Sequence, residues 1–239
     1  MKPPAIRTVR DLQAGLVVLA AAVVVAALYA VFFVAPREAT LGISQKIFYF
    51  HVASAIQMML MFGVCGLCGL VYLVRAGSPG RLSAFVDSLA VATAEVGVTL
   101  GAVVLTTGPL WARKAWGTWW TWEPRLTLSL MVFLLFLAYL ALRAFVGNDR
   151  FGRGVASGLA VVGLPGLYFI HFAVERWGGA HPQVIFRGGL QVPEMKIAFA
   201  WSIAAMFLVS WMLVVFRLRL ERIRRALDDL YLEVDRREV

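Results

Sequence analysis

Charge is absent from long stretches of this chain, and the spacing of those stretches constrains its fold. Residues 14–35, 47–74, 126–142, 154–174 and 197–216 contain no Asp, Glu, Lys or Arg. Each is near or above the roughly 20 residues an apolar helix needs to cross a bilayer. A sixth run, about 82–111, is interrupted only by Asp87 and Glu95. With 61% hydrophobic residues and mean hydropathy of +0.78, the sequence reads as an integral membrane protein. The expected fold is all-α and polytopic, with six transmembrane helices at about 14–35, 47–74, 82–111, 126–146, 154–174 and 195–217, and a tail over 218–239. The connectors are too short for a soluble domain and no period of 20–50 residues repeats, so residues 1–239 read as a single membrane domain. Lys2, Arg7 and Arg10 precede the first run as they would in a secretory signal. That run is longer than a typical apolar signal core and lacks a clear cleavage site, which favours a retained helix.

The formal net charge of +9 would suggest nucleic acid for a soluble protein. Here its distribution explains it. If the N-terminus is cytoplasmic, fifteen of the 23 basic residues fall on inside segments and eight outside, as the positive-inside rule asks. Both termini are then cytoplasmic, and no nucleic-acid role is expected. Cys65 and Cys68 form a CxxC within the second run, among Gly63, Gly66 and Gly69. Small residues there point to close helix packing rather than thiol chemistry. Gly69 follows Cys68 where a covalent heme-attachment motif has His.

Between runs three and four the chain reads Trp111-Ala-Arg-Lys-Ala-Trp116-Gly-Thr-Trp119-Trp120-Thr-Trp122-Glu123-Pro124-Arg125-Leu-Thr127, placing five of eight tryptophans within twelve residues. An interfacial aromatic belt uses far fewer. Such a loop is suited to stacking on a planar ligand. Trp116, Trp119, Trp120 and Glu123 fall at i, i+3, i+4 and i+7, so a short surface helix is expected, with Trp122 pointing elsewhere. Glu123-Pro124 suits the start of helix 4.

By parity of the spans this loop lies outside. His51, at the start of span 2, and His171, at the end of span 5, share that face, and His181 follows in a turn-rich stretch less suited to a fixed ligand. Two imidazoles can supply axial nitrogens to an iron porphyrin, and aromatic faces can cover the macrocycle. Arg113, Lys114, Arg125, Arg176 and Arg187 are candidates to meet its propionates. Heme satisfies every part of this set, whereas a quinone leaves the bases unexplained.

The segment Trp116–Thr127 resembles the WGxxWxWDxRLT signature of the heme-handling membrane proteins of cytochrome c biogenesis. Tyr49-Phe50-His51-Val52 entering span 2, Ile170-His171-Phe172-Ala173-Val174-Glu175 leaving span 5, and the six-span length are similar to its cytochrome c maturation protein C branch, also called heme exporter protein C. The resemblance covers nearly the whole chain. It implies axial heme ligation by His51 and His171, and contact of Trp116, Trp119, Trp120, Trp122 and Glu123 with a non-covalent b-type heme. Arg113, Arg125 and Arg176 remain the basic candidates around it. The resemblance also implies an inner-membrane location and delivery of heme to a periplasmic heme chaperone. An ABC-type membrane subunit, an ATPase and a small single-span accessory subunit are the implied partners. The chain departs from the signature at Glu123, where the family carries aspartate, and at Pro124, often Ala in this branch.

No residue set resembles a hydrolytic or nucleophilic centre, so an enzyme is not expected. Two other functions fit parts of the pattern. One is a bis-histidine b-type electron-transfer subunit; the other is a transporter moving heme across the bilayer past Glu95. Glu95 and Asp87 read either as that polar route or as hydrogen-bonded structural groups, and Gln57 is equally ambiguous. After residue 216, Leu220, Ile223, Leu227, Leu230 and Val234 form a short a/d stripe, for packing on a partner or on anionic lipid.

Overall fold

The computed structural model describes residues 4–75, 80–146, 150–181 and 189–238, and among these no strand forms. Six α-helices follow in order: α1 (Pro4–Tyr29), α2 (Ile47–Val74), α3 (Arg81–Trp116), α4 (Pro124–Phe145), α5 (Arg150–Trp177) and α6 (Pro193–Glu238). Each is long and apolar enough to span a membrane, and the chain is a multi-pass membrane protein. The a/d stripe lies on the same helix as the last span, because α6 runs unbroken through it. The Val234 side chain lies outside the described residues.

α2 packs against both α3 and α5, α4 packs against α5, and α1 lies against α6. Close approach is set by small residues facing large ones. A Cβ on Gly69 would stand 2.9 Å from the Ser157 carbonyl oxygen, and one on Gly97 would stand 2.6 Å from the Phe62 ring. Phe62 in turn stacks on Phe136 of α4, with centroids 4.0 Å apart. Cys65 and Cys68 are unbridged and buried in this seam, so the CxxC serves packing as expected.

The two acids of α3 are paired. Asp87 accepts a hydrogen bond from Arg143 Nη2 of α4 at 3.0 Å, with Arg153 of α5 at 3.9 Å. Glu95 receives both Nε and Nη2 of Arg217 from α6, at 2.5 and 3.1 Å. In a low-dielectric surrounding an unpaired carboxylate is costly, and these arginines supply the missing partners. A pairing of a different kind holds the opposite end. Residues 30–34 continue α1 as a π-helical turn, and the buried Lys46 ammonium donates to the carbonyls of Val31 at 2.6 Å and Ala35 at 2.5 Å. The carbonyls at the end of a helix carry partial negative charge and here take up a cation.

The expected surface helix between α3 and α4 does not form. α3 runs on to Trp116, Gly117 ends it in the left-handed region at φ 78°, and residues 117–123 are non-helical. Pro124 occupies the first turn of α4 and disfavours helical backbone at the residue before it, so Glu123 is extended (φ −72°, ψ 155°). Too few residues remain between these two stops to nucleate a helix, and they are β-branched and aromatic. The i, i+3, i+4, i+7 spacing therefore does not describe one helical face.

Candidate functional site

The start of α2, the end of α3, the start of α4 and the end of α5 meet at one end of the bundle. They enclose a cavity of about 370 Å³ that the Trp loop closes from one side. Asp87 and Arg143, at the opposite ends of α3 and α4, mark the far end of the molecule.

His51 and His171, 120 positions apart, both line the cavity. His51 is held: its Nδ1 lies 2.9 Å from Thr107 Oγ1 on α3. His171 is more exposed, one turn and a half from the end of α5, with its ring edge-on to Phe172. Trp116, Trp119 and Trp120 also line the cavity, joined by Trp111 one turn earlier on α3. Trp111 packs edge-to-face on Trp116 at 5.4 Å. The indole Nε1 groups of Trp111 and Trp120 are buried and have no hydrogen-bond partner among the described residues. Trp122 points away, 76% exposed, and braces Trp120 edge-on at 5.9 Å.

The basic candidates separate. Arg125 lines the cavity, but its guanidinium is spent on α5 and on His181 in the segment after it. Nε donates to Ile170 O at 3.2 Å and Nη2 to His171 O at 2.8 Å, while Nη1 meets His181 Nδ1 at 3.2 Å. These carbonyls belong to the last turns of a helix, where a cation is favoured. Arg113 donates from Nη1 to Gly117 O and lies 6.0 Å from the Trp119 centroid, fixing the exit of α3 beside the loop. Arg176 lies outside the cavity among Tyr168, Phe169, Phe172 and Trp177. Lys114 is exposed, and Arg187 is outside the described residues.

Glu123 neither lines the cavity nor caps α4 through its side chain. Its Oε2 accepts the Ala180 N–H at 2.6 Å. The loop after α5 is thereby tied to the Trp loop, and His181 is brought against Trp116, with centroids 6.4 Å apart.

Sequence reasoning passes over Thr107 and leaves Trp111 and His181 out of the site proper. The cue for Thr107 is local: Thr107-Gly108-Pro109 interrupts an apolar span one turn before the Trp cluster.

Chemically, the cavity suits a planar, largely apolar ligand bearing a metal. Among the described residues no group of three or more His, Cys, Asp or Glu is placed to hold an ion. Two imidazoles alone suit a metal that brings its other donors with it.

The heme exporter protein C family model matches residues 3–233. Heme exporter protein C of Escherichia coli (strain K12) is 34% identical over 191 residues, covering 77% of this chain and 73% of that protein. The Paracoccus denitrificans protein of the same name is 30% identical over 199 residues, covering 82% and 80%. That of Haemophilus influenzae is 31% identical over 182 residues, covering 76% and 68%.

Proposed function

The chain belongs to the heme exporter protein C family, and from that premise we propose that the cavity receives heme as cargo, non-covalently, between His51 and His171. Its role is in heme handling for cytochrome c maturation. The observation that carries the reading is that two histidines far apart in sequence line one cavity together with the tryptophans of a single loop. The residues fit the cargo. Two imidazoles supply axial nitrogens, and Trp116, Trp119 and Trp120 supply flat apolar surface. The buried indole N–H groups of Trp111 and Trp120 are donors without partners, suited to an acceptor on the ligand.

Arg113 and Lys114, at the end of α3 beside the Trp loop, are candidates for the propionates at the rim, since neither lines the cavity itself. Arg125 acts mainly by fixing the turn of α5 that carries His171. Arg176 is set aside from the ligand.

In this reading the site lies on the periplasmic face of the bacterial inner membrane, with both termini cytoplasmic, as the distribution of Lys and Arg favours. The exposed Trp122 is left for the acceptor, a periplasmic heme chaperone. An ABC-type membrane subunit, an ATPase and a small single-span subunit complete the assembly. No step calls for a nucleophile of this chain: it positions its cargo, and is not an enzyme in the ordinary sense.

A bis-histidine electron-transfer subunit buries its heme among helices, whereas these histidines sit at helix ends under a loop. A trans-bilayer conduit past Glu95 is disfavoured by the pairing of Glu95 with Arg217. The test is the absorption spectrum of purified protein loaded with hemin, beside His51→Ala and His171→Ala. Each variant is expected to lose the bis-imidazole spectrum; its retention in both would refute the assignment.

A further inference from the structure

We infer that Thr107 and Gly108 form a seat that fixes the His51 ring in one tautomer, with the proton on Nδ1 and the lone pair on Nε2. The inference rests on the reading of His51 as an axial donor. It follows from where one hydroxyl proton goes. Thr107 Oγ1 is 2.7 Å from the Val103 carbonyl oxygen, one turn back on α3. Two oxygens that close require a proton between them, and only the hydroxyl has one to give. Toward His51 the same oxygen can therefore only accept. The 2.9 Å contact must be Nδ1–H donating to Thr107 Oγ1.

Gly108 completes the seat. A Cβ at that position would stand 3.2 Å from His51 Cε1, so the absence of a side chain lets the ring lie against α3. With Nδ1 and Cε1 both held by α3, Nε2 is the nitrogen left for the cavity that the ring lines. A hydrogen bond from the far nitrogen also makes the coordinating nitrogen a stronger donor.

His181 shows the contrast. Its Nδ1 faces Arg125 Nη1 at 3.2 Å, and a guanidinium can only donate. That contact places the proton of a neutral His181 on Nε2, the opposite tautomer. Of these two cavity histidines, the hydrogen bonds prepare His51 for a metal through Nε2 and deny that nitrogen to His181.

The test uses the full chain purified in detergent and titrated with hemin, reading affinity by absorbance and the midpoint potential of the bound heme. Thr107→Val removes the hydroxyl at nearly constant volume. It is expected to bind hemin on the order of 10–100-fold more weakly, with the potential shifted positive because the weaker donor stabilises ferric iron less. Thr107→Ser keeps the hydroxyl and should stay near the parent on both readings. Gly108→Ala keeps the hydrogen-bonding group but crowds the ring, and should also weaken binding. Parental affinity and potential in Thr107→Val would overturn the inference, as would equal damage in Thr107→Ser. If Thr107→Val does not fold, unchanged binding in Gly108→Ala overturns it instead. His51→Ala in the same titration isolates the premise: a bis-imidazole spectrum there removes the ligand assignment itself, whatever Thr107 does.

Discussion

Glu123 reaches across 57 positions to accept the backbone N–H of Ala180 at 2.6 Å. It is an acid in the Trp loop that neither caps its own helix nor lines the cavity; it gathers the segment after α5 onto that loop. The fit is close, because a Cβ on Gly179 would stand 2.8 Å from Glu123 Oε2, and Gly179 has φ 145°, a value L side chains rarely adopt.

Glu123→Ala should therefore loosen the loop that carries His181. A hydrogen bond to a charged acceptor contributes about 1.5–3 kcal/mol. Hemin affinity should fall by roughly tenfold or more, and Gly179→Ala should reproduce the effect from the other side of the contact. Glu123→Asp, the residue of the family signature, keeps the charge one methylene short and should lie between parent and alanine variant. Equilibrium hemin titration of the three variants decides this; parental affinity in both Glu123→Ala and Gly179→Ala would show that the link has no bearing on the cavity.

Arg125→Lys retains a cation but not the planar fork that meets Ile170 O and His171 O together. Lysine cannot reproduce two divergent donors in fixed geometry. The expected outcome is a mixed spectrum in loaded protein, part bis-imidazole and part high-spin, because the turn presenting His171 is no longer held. A fully low-spin spectrum would mean that α5 presents His171 without help from Arg125.

Much of the fold is legible in the sequence because a bilayer imposes length and polarity on each span separately. Parity of the spans places His51, His171 and the Trp loop at the same end of the bundle; their meeting in one cavity follows from the packing of α2 on α3 and α5 and of α4 on α5. What local pattern misses is long-range polar contact. Nothing near Lys46 announces that its ammonium caps a π turn formed by residues 30–34. The break at Thr107-Gly108-Pro109 marks a polar position but does not name its partner, a histidine 56 positions away. The Trp loop shows the converse error: spacing suggests a helical face, but Gly117 and Pro124 close the segment at both ends before a helix can start. Side-chain periodicity carries information only where the backbone is free to follow it.

Trp119 and Trp122 lie three residues apart yet are placed for different tasks. Trp119 lines the cavity, while Trp122 is 76% exposed and does not. Trp119→Ala should lower hemin affinity several-fold, since it removes aromatic surface from the ligand. Trp122→Ala should bind hemin nearly as the parent does and still fail in transfer to the chaperone. Heme-loaded chaperone measured alongside the hemin spectrum separates the two; a Trp122→Ala protein that loads chaperone normally would leave that residue as mere bracing for Trp120.

The paired acids of α3 provide a control for the site, because both lie away from the cavity lining. Asp87 is 5% exposed and contacts arginines from two other helices, whereas the Glu95–Arg217 pair is about a third exposed. Removing one partner of a buried pair costs about 3–5 kcal/mol; neutralising Glu95 costs less, because glutamine can still accept from Arg217 and Arg217 keeps Glu221 at 3.4 Å. Asp87→Ala should therefore lower the midpoint of thermal unfolding in detergent clearly more than Glu95→Gln. In the folded fraction of both, the hemin spectrum should remain bis-imidazole. If Glu95→Gln instead preserved stability and abolished heme delivery, the pair would be part of a route for heme or protons, and the scaffold reading of α3 would have to yield.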